Sequence, residues 1–143
     1  MTISFPSLLI VDDEPCILGL LPALLKGEFE VVTAGSADAA RRLFARHEFD
    51  LILTDQKMPG GTGVQLLEWV RQKHPLTGRL LMTGFAEIEE AAEAINRGQI
   101  SGYIFKPWKP DELLQVLREA ARTAQMERSQ LPTIAKRLEA DPN

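Results

Sequence analysis

The sequence predicts an α/β fold in which a parallel sheet lies between two layers of helices. Short apolar segments that have the length of buried strands alternate with longer segments of helical periodicity, and this alternation repeats five times. Such a pattern is typical of right-handed strand–helix–strand units. Most of the short segments are apolar at every position, as expected of strands that are buried on both faces.

Composition and charge narrow the class of protein. The 143 residues suit one domain, and 45% hydrophobic residues are enough for an ordinary globular core. A net charge of -4 argues against a broad nucleic-acid or membrane surface, which would need clustered Lys and Arg. We expect neither a secretory signal nor a membrane span. Cys16 is the only cysteine, which suits a reducing compartment, and we expect a cytoplasmic location.

The predicted elements follow from periodicity and from start and stop signals. Strands are predicted over residues 8–11, 29–34, 51–54, 79–83 and 102–105. Helices are predicted over residues 15–26, 37–46, 87–97 and 110–130, with a further helix that Pro75 ends. Ser36 is a candidate cap for the second helix, and Gly27 is a stop signal for the first.

Two prolines bear on the helices. Pro22 has no amide hydrogen for the carbonyl of Leu18, so we expect a kink or a lost hydrogen bond there. The last helix is expected to stop near Gln130, before Pro132, although packing on one sheet edge needs less length. We therefore divide the chain into a domain over residues 6–125 and a helical extension or linker over residues 126–143. We also expect the chain to be a piece of a longer protein.

Polar side chains follow four of the five predicted strands. Asp12 and Asp13 follow the first strand, Asp55 the third, Thr83 the fourth and Lys106 the fifth. Because all strands of a parallel sheet end on the same edge, these groups can share one crevice. Two acids can bind a hard cation such as Mg²⁺ or Ca²⁺ while the third keeps a free oxygen. Such a site is competent for phosphoryl transfer to Asp55, with Lys106 neutralising charge on the phosphoryl oxygens.

The same residues also have ordinary structural interpretations. Asp55 can be a plain turn cap, and the acids at 12–14 can cap the helix that Pro15 opens. Capping needs one acid rather than three, but both interpretations of the acidic run remain open here. Trp108 can likewise cover the start of the last helix or bind a partner.

The groups at the strand ends resemble the signature of response-regulator receiver domains of bacterial two-component signalling. The signature consists of Asp12-Asp13, Asp55 with Met58-Pro59-Gly60, Thr83-Gly84 and Lys106-Pro107. The resemblance spans about residues 6–125 and implies a flavodoxin-like fold, a doubly wound (βα)5 sandwich with strand order 2-1-3-4-5. The element pattern alone does not select that order. Segments 55–59 and 103–108 further resemble receivers coupled to cyclic-di-GMP phosphodiesterase outputs or to hydrogenase-type transcription regulators.

By this resemblance, Asp55 is the phosphoacceptor and Mg²⁺ is the cofactor. The resemblance implies that Asp13 and Asp55 bind the ion, that Asp12 helps through a water molecule, and that the backbone carbonyl of Lys57 is a further ligand. The phosphodonor is then a sensor histidine kinase or a phosphotransfer protein. The chain is expected to be a regulator that catalyses only its own phosphorylation and dephosphorylation.

The resemblance also implies a switch. Thr83 turns its hydroxyl toward the phosphoryl group, and Tyr103 changes rotamer with it. Lys106 is joined to Pro107 by a cis peptide bond, which is tolerated mainly before proline. The face formed by the fourth helix, the fifth strand and the last helix then changes shape, and an output domain or a second copy of the chain can bind there.

Two other functions remain open. A small Mg²⁺-dependent phosphohydrolase with an aspartyl nucleophile also uses a parallel sheet. It usually needs a second Asp two positions after its nucleophile, however, and residues 12–14 lack that spacing. A degenerate receiver that acts only as a docking module would have an incomplete set of acids, whereas the set here is complete. We expect no direct nucleic-acid or membrane partner.

Overall fold

Five strands and four helices make up the described part of the chain. The computed structural model describes residues 4–84, 87, 92, 96 and 100–140, without the side chains of 131–140. The elements are β1 (Ser7–Val11), α1 (Pro15–Leu25), β2 (Glu30–Ala34), α2 (Ala37–Phe44), β3 (Leu51–Asp55), α3 (Gly63–Lys73), β4 (Gly78–Thr83), β5 (Gly102–Phe105) and a C-terminal helix (Pro110–Ala140). The helix predicted over residues 87–97 lies largely outside the described residues. Among those residues, none of the helices has the length and apolar character needed to cross a bilayer.

All five strands form one sheet in the order β2-β1-β3-β4-β5. Every neighbouring pair is parallel, so the carboxyl ends of the strands share one edge. The central strands β1 and β3 are covered on both faces, which explains why their sequences are apolar without alternation. The predicted flavodoxin-like, doubly wound fold with strand order 2-1-3-4-5 is confirmed.

The sheet separates two hydrophobic cores. Leu25 of α1 and Leu117 of the C-terminal helix pack in the first core, and Phe44 of α2 and Leu67 of α3 pack in the second. Successive residues of a strand point to opposite faces, so each inner strand contributes to both cores. A fully buried leucine stabilises such a core by about 1.5–3 kcal/mol. The two cores therefore hold the sheet rigidly in place beneath the strand ends.

Local signals fix several of the helix ends. Ser36 caps α2 by accepting a hydrogen bond from the Ala39 amide at 3.1 Å, as predicted. Gly27 has a positive φ of 91° just after α1, which is the left-handed conformation that favours glycine, and this agrees with its prediction as a stop signal. Thr62 and Gln65 form a capping box at the start of α3 that we did not predict.

Prolines lie inside two helices. Helix α1 is continuous from Pro15 to Leu25 although it contains Pro22. The C-terminal helix runs through Pro132 to Ala140, so the prediction that it stops near Gln130 was wrong. The residues that follow Pro132 are mostly strong helix formers, which lets the backbone continue in helical geometry despite the lost hydrogen bond.

An ion pair fixes the C-terminal helix to the amino ends of the strands. Arg128 Nη1 lies 3.0 Å from Asp50 Oδ1, and Arg128 Nη2 donates to the Phe49 carbonyl at 3.1 Å. Asp50 Oδ2 also accepts the backbone amide of Ser7 at 2.8 Å and the Ser7 hydroxyl at 3.1 Å. At least one turn of the predicted extension over 126–143 therefore packs against the domain.

We predict that Gly63→Ala lowers the free energy of unfolding by about 2–3 kcal/mol. A Cβ at Gly63 would overlap the backbone carbonyl oxygen of Asp55 and lie 3.0 Å from Leu81 Cδ1, and the carbonyl cannot move without distorting β3. Urea unfolding measures the change.

Gly19→Ala is the matched control. A Cβ at Gly19 would have nothing within 4 Å, so this substitution in α1 should raise the free energy of unfolding by about 0.5–1 kcal/mol. Equal effects of the two substitutions would contradict the close packing of Gly63 against β3.

Candidate functional site

Three carboxylates and one ammonium meet at the carboxyl edge of the sheet. The carboxylates of Asp12, Asp13 and Asp55 each have an oxygen within 4.8 Å of the others. Lys106 Nζ lies 2.9 Å from Asp55 Oδ1. Thr83 ends β4, the neighbour of β3, and is fully buried. The structure therefore brings the three acids and Lys106 together, with Thr83 on the adjacent strand.

Asp55 is held in one orientation at the end of β3. Its side chain is buried, and Oδ1 receives the Gln56 amide hydrogen at 2.9 Å in addition to the Lys106 ammonium. Both donors contact Oδ1, and Oδ2 accepts no hydrogen bond from the described residues. Oδ2 is therefore the less constrained of the two carboxylate oxygens.

The loop after β3 is held by hydrogen bonds of Gln56. Its backbone amide donates to the Met82 carbonyl at 3.2 Å, and its side-chain oxygen accepts the Val64 amide at 3.0 Å. Gly60 in this loop has a positive φ of 83°. These contacts connect the loop to β4 and α3, so the position of Asp55 depends on packing at both sides.

Asp12 is a buried carboxylate with one oxygen that has no hydrogen-bond partner among the described residues. Its Oδ1 accepts the Glu14 amide at 3.0 Å, but Oδ2 is buried with no hydrogen-bond partner among the described residues. Burial raises the pKa of Asp12, and the nearby charge of Asp55 raises it further, against the lowering effect of the Glu14 amide. A buried acceptor without a partner costs about 1–3 kcal/mol, which a cation beside it would offset. The oxygen ligands fit a hard divalent ion such as Mg²⁺.

Lys106 provides the positive charge of the site. Burial lowers the pKa of the ammonium, but its hydrogen bond and charge interaction with Asp55, together with the charges of Asp12 and Glu14, outweigh this and raise the pKa overall. Lys106 therefore stays protonated. Its backbone amide donates to the Thr83 carbonyl at 3.0 Å, and the Lys106–Pro107 peptide bond is cis.

Glu87 is a member of the site that we did not predict. The Thr83 hydroxyl donates to Glu87 Oε2 at 2.9 Å, and the Gly84 amide donates to the same oxygen at 3.1 Å. Lys57 Nζ lies 3.5 Å from Glu87 Oε1. The Gly84 hydrogen bond above all, with those of Thr83 and Lys57, holds the pKa of Glu87 below its usual range. The available signal was the spacing: Glu87 follows Gly84 by three residues, the separation at which the Glu of a capping box accepts a backbone amide.

Lys57 and Tyr103 lie at the periphery of the site. Lys57 follows Asp55 by two residues, and its side chain is 72% exposed where it contacts Glu87. Tyr103 lies on the edge strand β5, is 38% exposed and stacks against Phe105 with 6.3 Å between ring centroids. In this structure Tyr103 is therefore a surface side chain.

Sequence comparisons identify a known kind of domain. Residues 8–118 match the response regulator receiver domain. The chain is 41% identical over 114 residues to the hydrogenase transcriptional regulatory protein HoxA of Cupriavidus necator, covering 80% of this chain and 24% of HoxA. It is 33% identical over 135 residues to the response regulator protein PilR of Pseudomonas aeruginosa, covering 94% of this chain and 30% of PilR. The chain thus spans less than a third of the length of these relatives.

Solved structures give the same result. The signal receiver domain of an HD domain-containing protein from Pseudomonas fluorescens Pf-5 has a TM-score of 0.84 and 36% identity, covering 92% of this chain and 98% of that one. A CheY-like response regulator receiver domain protein from Methanospirillum hungatei JF-1 has a TM-score of 0.79 and 32% identity, covering 87% and 99% of the two chains. HoxA is also of the hydrogenase-type class that segments 55–59 and 103–108 resemble.

The matched region includes the acids, the hydroxyl and the lysine at the strand ends. Sequence, strand order and solved structures all agree on the class of domain. The chain belongs to the family of response regulator receiver domains, the regulatory, phosphorylation-dependent switches of two-component signalling.

Proposed function

We propose that this domain accepts a phosphoryl group on Asp55 from a histidine kinase or a phosphotransfer protein. The observation that carries the proposal is the environment of Asp55: the side chain is buried, its Oδ1 lies 2.9 Å from Lys106 Nζ, and two further carboxylates lie within 4.8 Å. A nucleophile with one fixed and one available oxygen, beside a cation and a candidate metal site, suits phosphoryl transfer.

The proposal includes Mg²⁺ bound by Asp13 and Asp55, with Asp12 acting through water and the Lys57 carbonyl as a further ligand. The buried Asp12 Oδ2 without a hydrogen-bond partner among the described residues supports this assignment, because it leaves negative charge that a cation can neutralise. When bound, the ion supplies positive charge next to the phosphoryl oxygens.

Each of the chain's own residues then has a defined task. Asp55 Oδ2 attacks phosphorus, an acyl phosphate forms, and the P–N bond of the donor's phosphohistidine breaks. The Lys106 ammonium exchanges Asp55 Oδ1 for a phosphoryl oxygen, which neutralises charge as it develops. Thr83 ends β4, the strand beside β3, and in the proposal it donates its hydroxyl to another phosphoryl oxygen.

The phosphoryl group adds a charge of roughly -1.5 to -2 to the pocket. In the proposal, rotation of Thr83 creates space that Tyr103 enters from the surface of β5. The face formed by the helix predicted over residues 87–97, β5 and the C-terminal helix then binds differently to an output domain or to a second copy of the chain. Phosphorylation shifts the equilibrium between the two conformations of this face only by the difference in its interaction free energy with each conformation.

We further propose the division into a receiver domain over residues 6–125 and a helical extension or linker over 126–143. The family match, which ends at residue 118, and the greater length of HoxA and PilR support it. The helix itself is continuous across residue 125, and Arg128 packs the first turn of the extension against the domain. We place the domain in the cytoplasm.

We predict that Asp55→Asn abolishes phosphorylation by a small phosphodonor such as acetyl phosphate in the presence of Mg²⁺. An amide oxygen is a far weaker nucleophile than a carboxylate, so intact-protein mass spectrometry should show no phosphorylated species.

Asp38→Asn is the matched control, since Asp38 is an exposed carboxylate in α2, and it should be phosphorylated like the unchanged chain. Undiminished phosphorylation of Asp55→Asn would exclude Asp55 as the acceptor. Repeated hydrolysis of a free phosphate ester would instead indicate a phosphohydrolase.

We predict that Asp12→Asn raises the free energy of unfolding at pH 7 without metal by about 1–2 kcal/mol. Asparagine keeps the oxygen that accepts the Glu14 amide but removes a charge that burial disfavours. Because the pKa of Asp12 is raised in the folded state, its penalty grows as pH rises above the ordinary value of 3.8, and the difference between the two proteins should vanish below it.

Mg²⁺ provides the complementary measurement. The ion should raise the Tm of the unchanged chain and of Asp38→Asn, but raise that of Asp12→Asn less, because one charge of the acid cluster is gone. Thermal unfolding across a series of Mg²⁺ concentrations measures this. A destabilised Asp12→Asn with an unchanged Mg²⁺ response would contradict the assignment.

A further inference from the structure

Glu87 has contacts that the proposed function does not use. Its carboxylate accepts hydrogen bonds from the Thr83 hydroxyl at 2.9 Å and from the Gly84 amide at 3.1 Å, both on Oε2. Lys57 Nζ lies 3.5 Å from the other oxygen. Lys57 belongs to the loop after β3, and Thr83 and Gly84 to the end of β4, so one carboxylate connects the two loops beside the proposed phosphoacceptor.

The Thr83 hydroxyl has one hydrogen to donate. Thr83 is fully buried, and its hydroxyl contacts only the Gly84 carbonyl, at 3.3 Å, besides Glu87 among the described residues. A hydrogen bond to a charged acceptor is roughly twice as strong as one between neutral groups. Glu87 is therefore the dominant acceptor, and any other anion that takes this hydrogen must displace it.

A phosphoryl group on Asp55 would be such an anion. Asp55 and Thr83 end adjacent parallel strands, with Asp55 in register with Met82. A hydroxyl hydrogen satisfies one strong acceptor at a time, so the phosphoryl oxygens and Glu87 compete for it. The two groups also carry the same sign of charge, which adds repulsion between them.

We propose that Glu87 is a positioning residue that holds the Thr83 hydroxyl in the unphosphorylated domain and so opposes phosphorylation. This inference rests on the proposed function of Asp55. The hydrogen bond between Glu87 and Thr83 exists only in the unphosphorylated domain. Glu87 therefore stabilises the unphosphorylated domain relative to the phosphorylated one. Lys57, whose Nζ lies 3.5 Å from Glu87 Oε1, helps to hold the carboxylate in place.

Binding of beryllofluoride with Mg²⁺ tests this inference, because beryllofluoride mimics an aspartyl phosphate without turnover. We expect Glu87→Gln to lower its Kd by about 5- to 10-fold, since glutamine accepts the hydroxyl more weakly and carries no charge. Glu87→Asp keeps the charge but is one methylene too short for the same contact, and it should lower the Kd as well. Glu30→Gln, an exposed acid in β2, is the matched control and should leave the Kd unchanged.

A double-mutant cycle with Thr83→Val shows whether Glu87 acts through Thr83. Valine keeps the shape of threonine and removes the hydroxyl. In the Thr83→Val background, Glu87→Gln should change the Kd by less than about twofold, because no hydrogen bond remains to be released. A full-sized effect in that background would overturn the positioning role, since it would show charge repulsion acting alone.

The remaining outcomes separate this inference from the proposed function. If the unchanged chain binds beryllofluoride, Asp55→Asn does not, and neither Glu87 variant binds more tightly, the positioning role is overturned and the phosphoacceptor role stands. If the unchanged chain does not bind beryllofluoride with Mg²⁺, both fall. Urea unfolding of each variant checks that it is folded at the temperature of the binding measurement.

Discussion

The parallel direction of the five strands is the constraint on which the rest of this domain depends. It places the ends of β1, β3, β4 and β5 along one edge, so that residues distant in sequence become neighbours. Two hydrophobic cores, one on each face, keep the strands in register while their ends carry polar groups. The chemistry therefore lies on a rigid platform and is surrounded by loops, whose conformations can differ without disturbing the cores.

That edge concentrates charge at a cost to stability. Asp12 and Asp55 are buried close to one another, and only part of their charge is offset by Lys106 and by backbone amides. An arrangement optimised for stability alone would not leave Asp12 Oδ2 buried without a hydrogen-bond partner among the described residues. In the proposed function, a divalent cation neutralises this unfavourable charge and in turn favours the approach of an anionic phosphoryl group.

The alternation of strands and helices, and the polar groups that follow the strands, were predictable because they depend on short-range patterns, whereas the strand order came from the family resemblance. The apolar runs of β1 and β3 were located within one residue at each end. The positions of the acids that follow them are then set by the ends of those strands. The helix through Pro132 was missed because the helix preference of several neighbours outweighed one unfavourable residue. Arg128 and Asp50 are far apart in sequence, and neither has a pattern that indicates the other. Glu87 differs from these cases: the sequence pattern indicates only that it begins a helix, and its contact with Lys57 depends on how two loops approach one another.

A crystal structure of the domain with Mg²⁺ and beryllofluoride tests the central claim most directly. We expect density for the beryllium group bonded to Asp55, Mg²⁺ bound by Asp13 and Asp55, and fluorines contacting Lys106 and the Thr83 hydroxyl. In that structure Thr83 should no longer donate to Glu87. A beryllium group bound elsewhere, or Lys106 still paired with Asp55 and no metal among the three carboxylates, would contradict the assignment of this edge as the phosphorylation site.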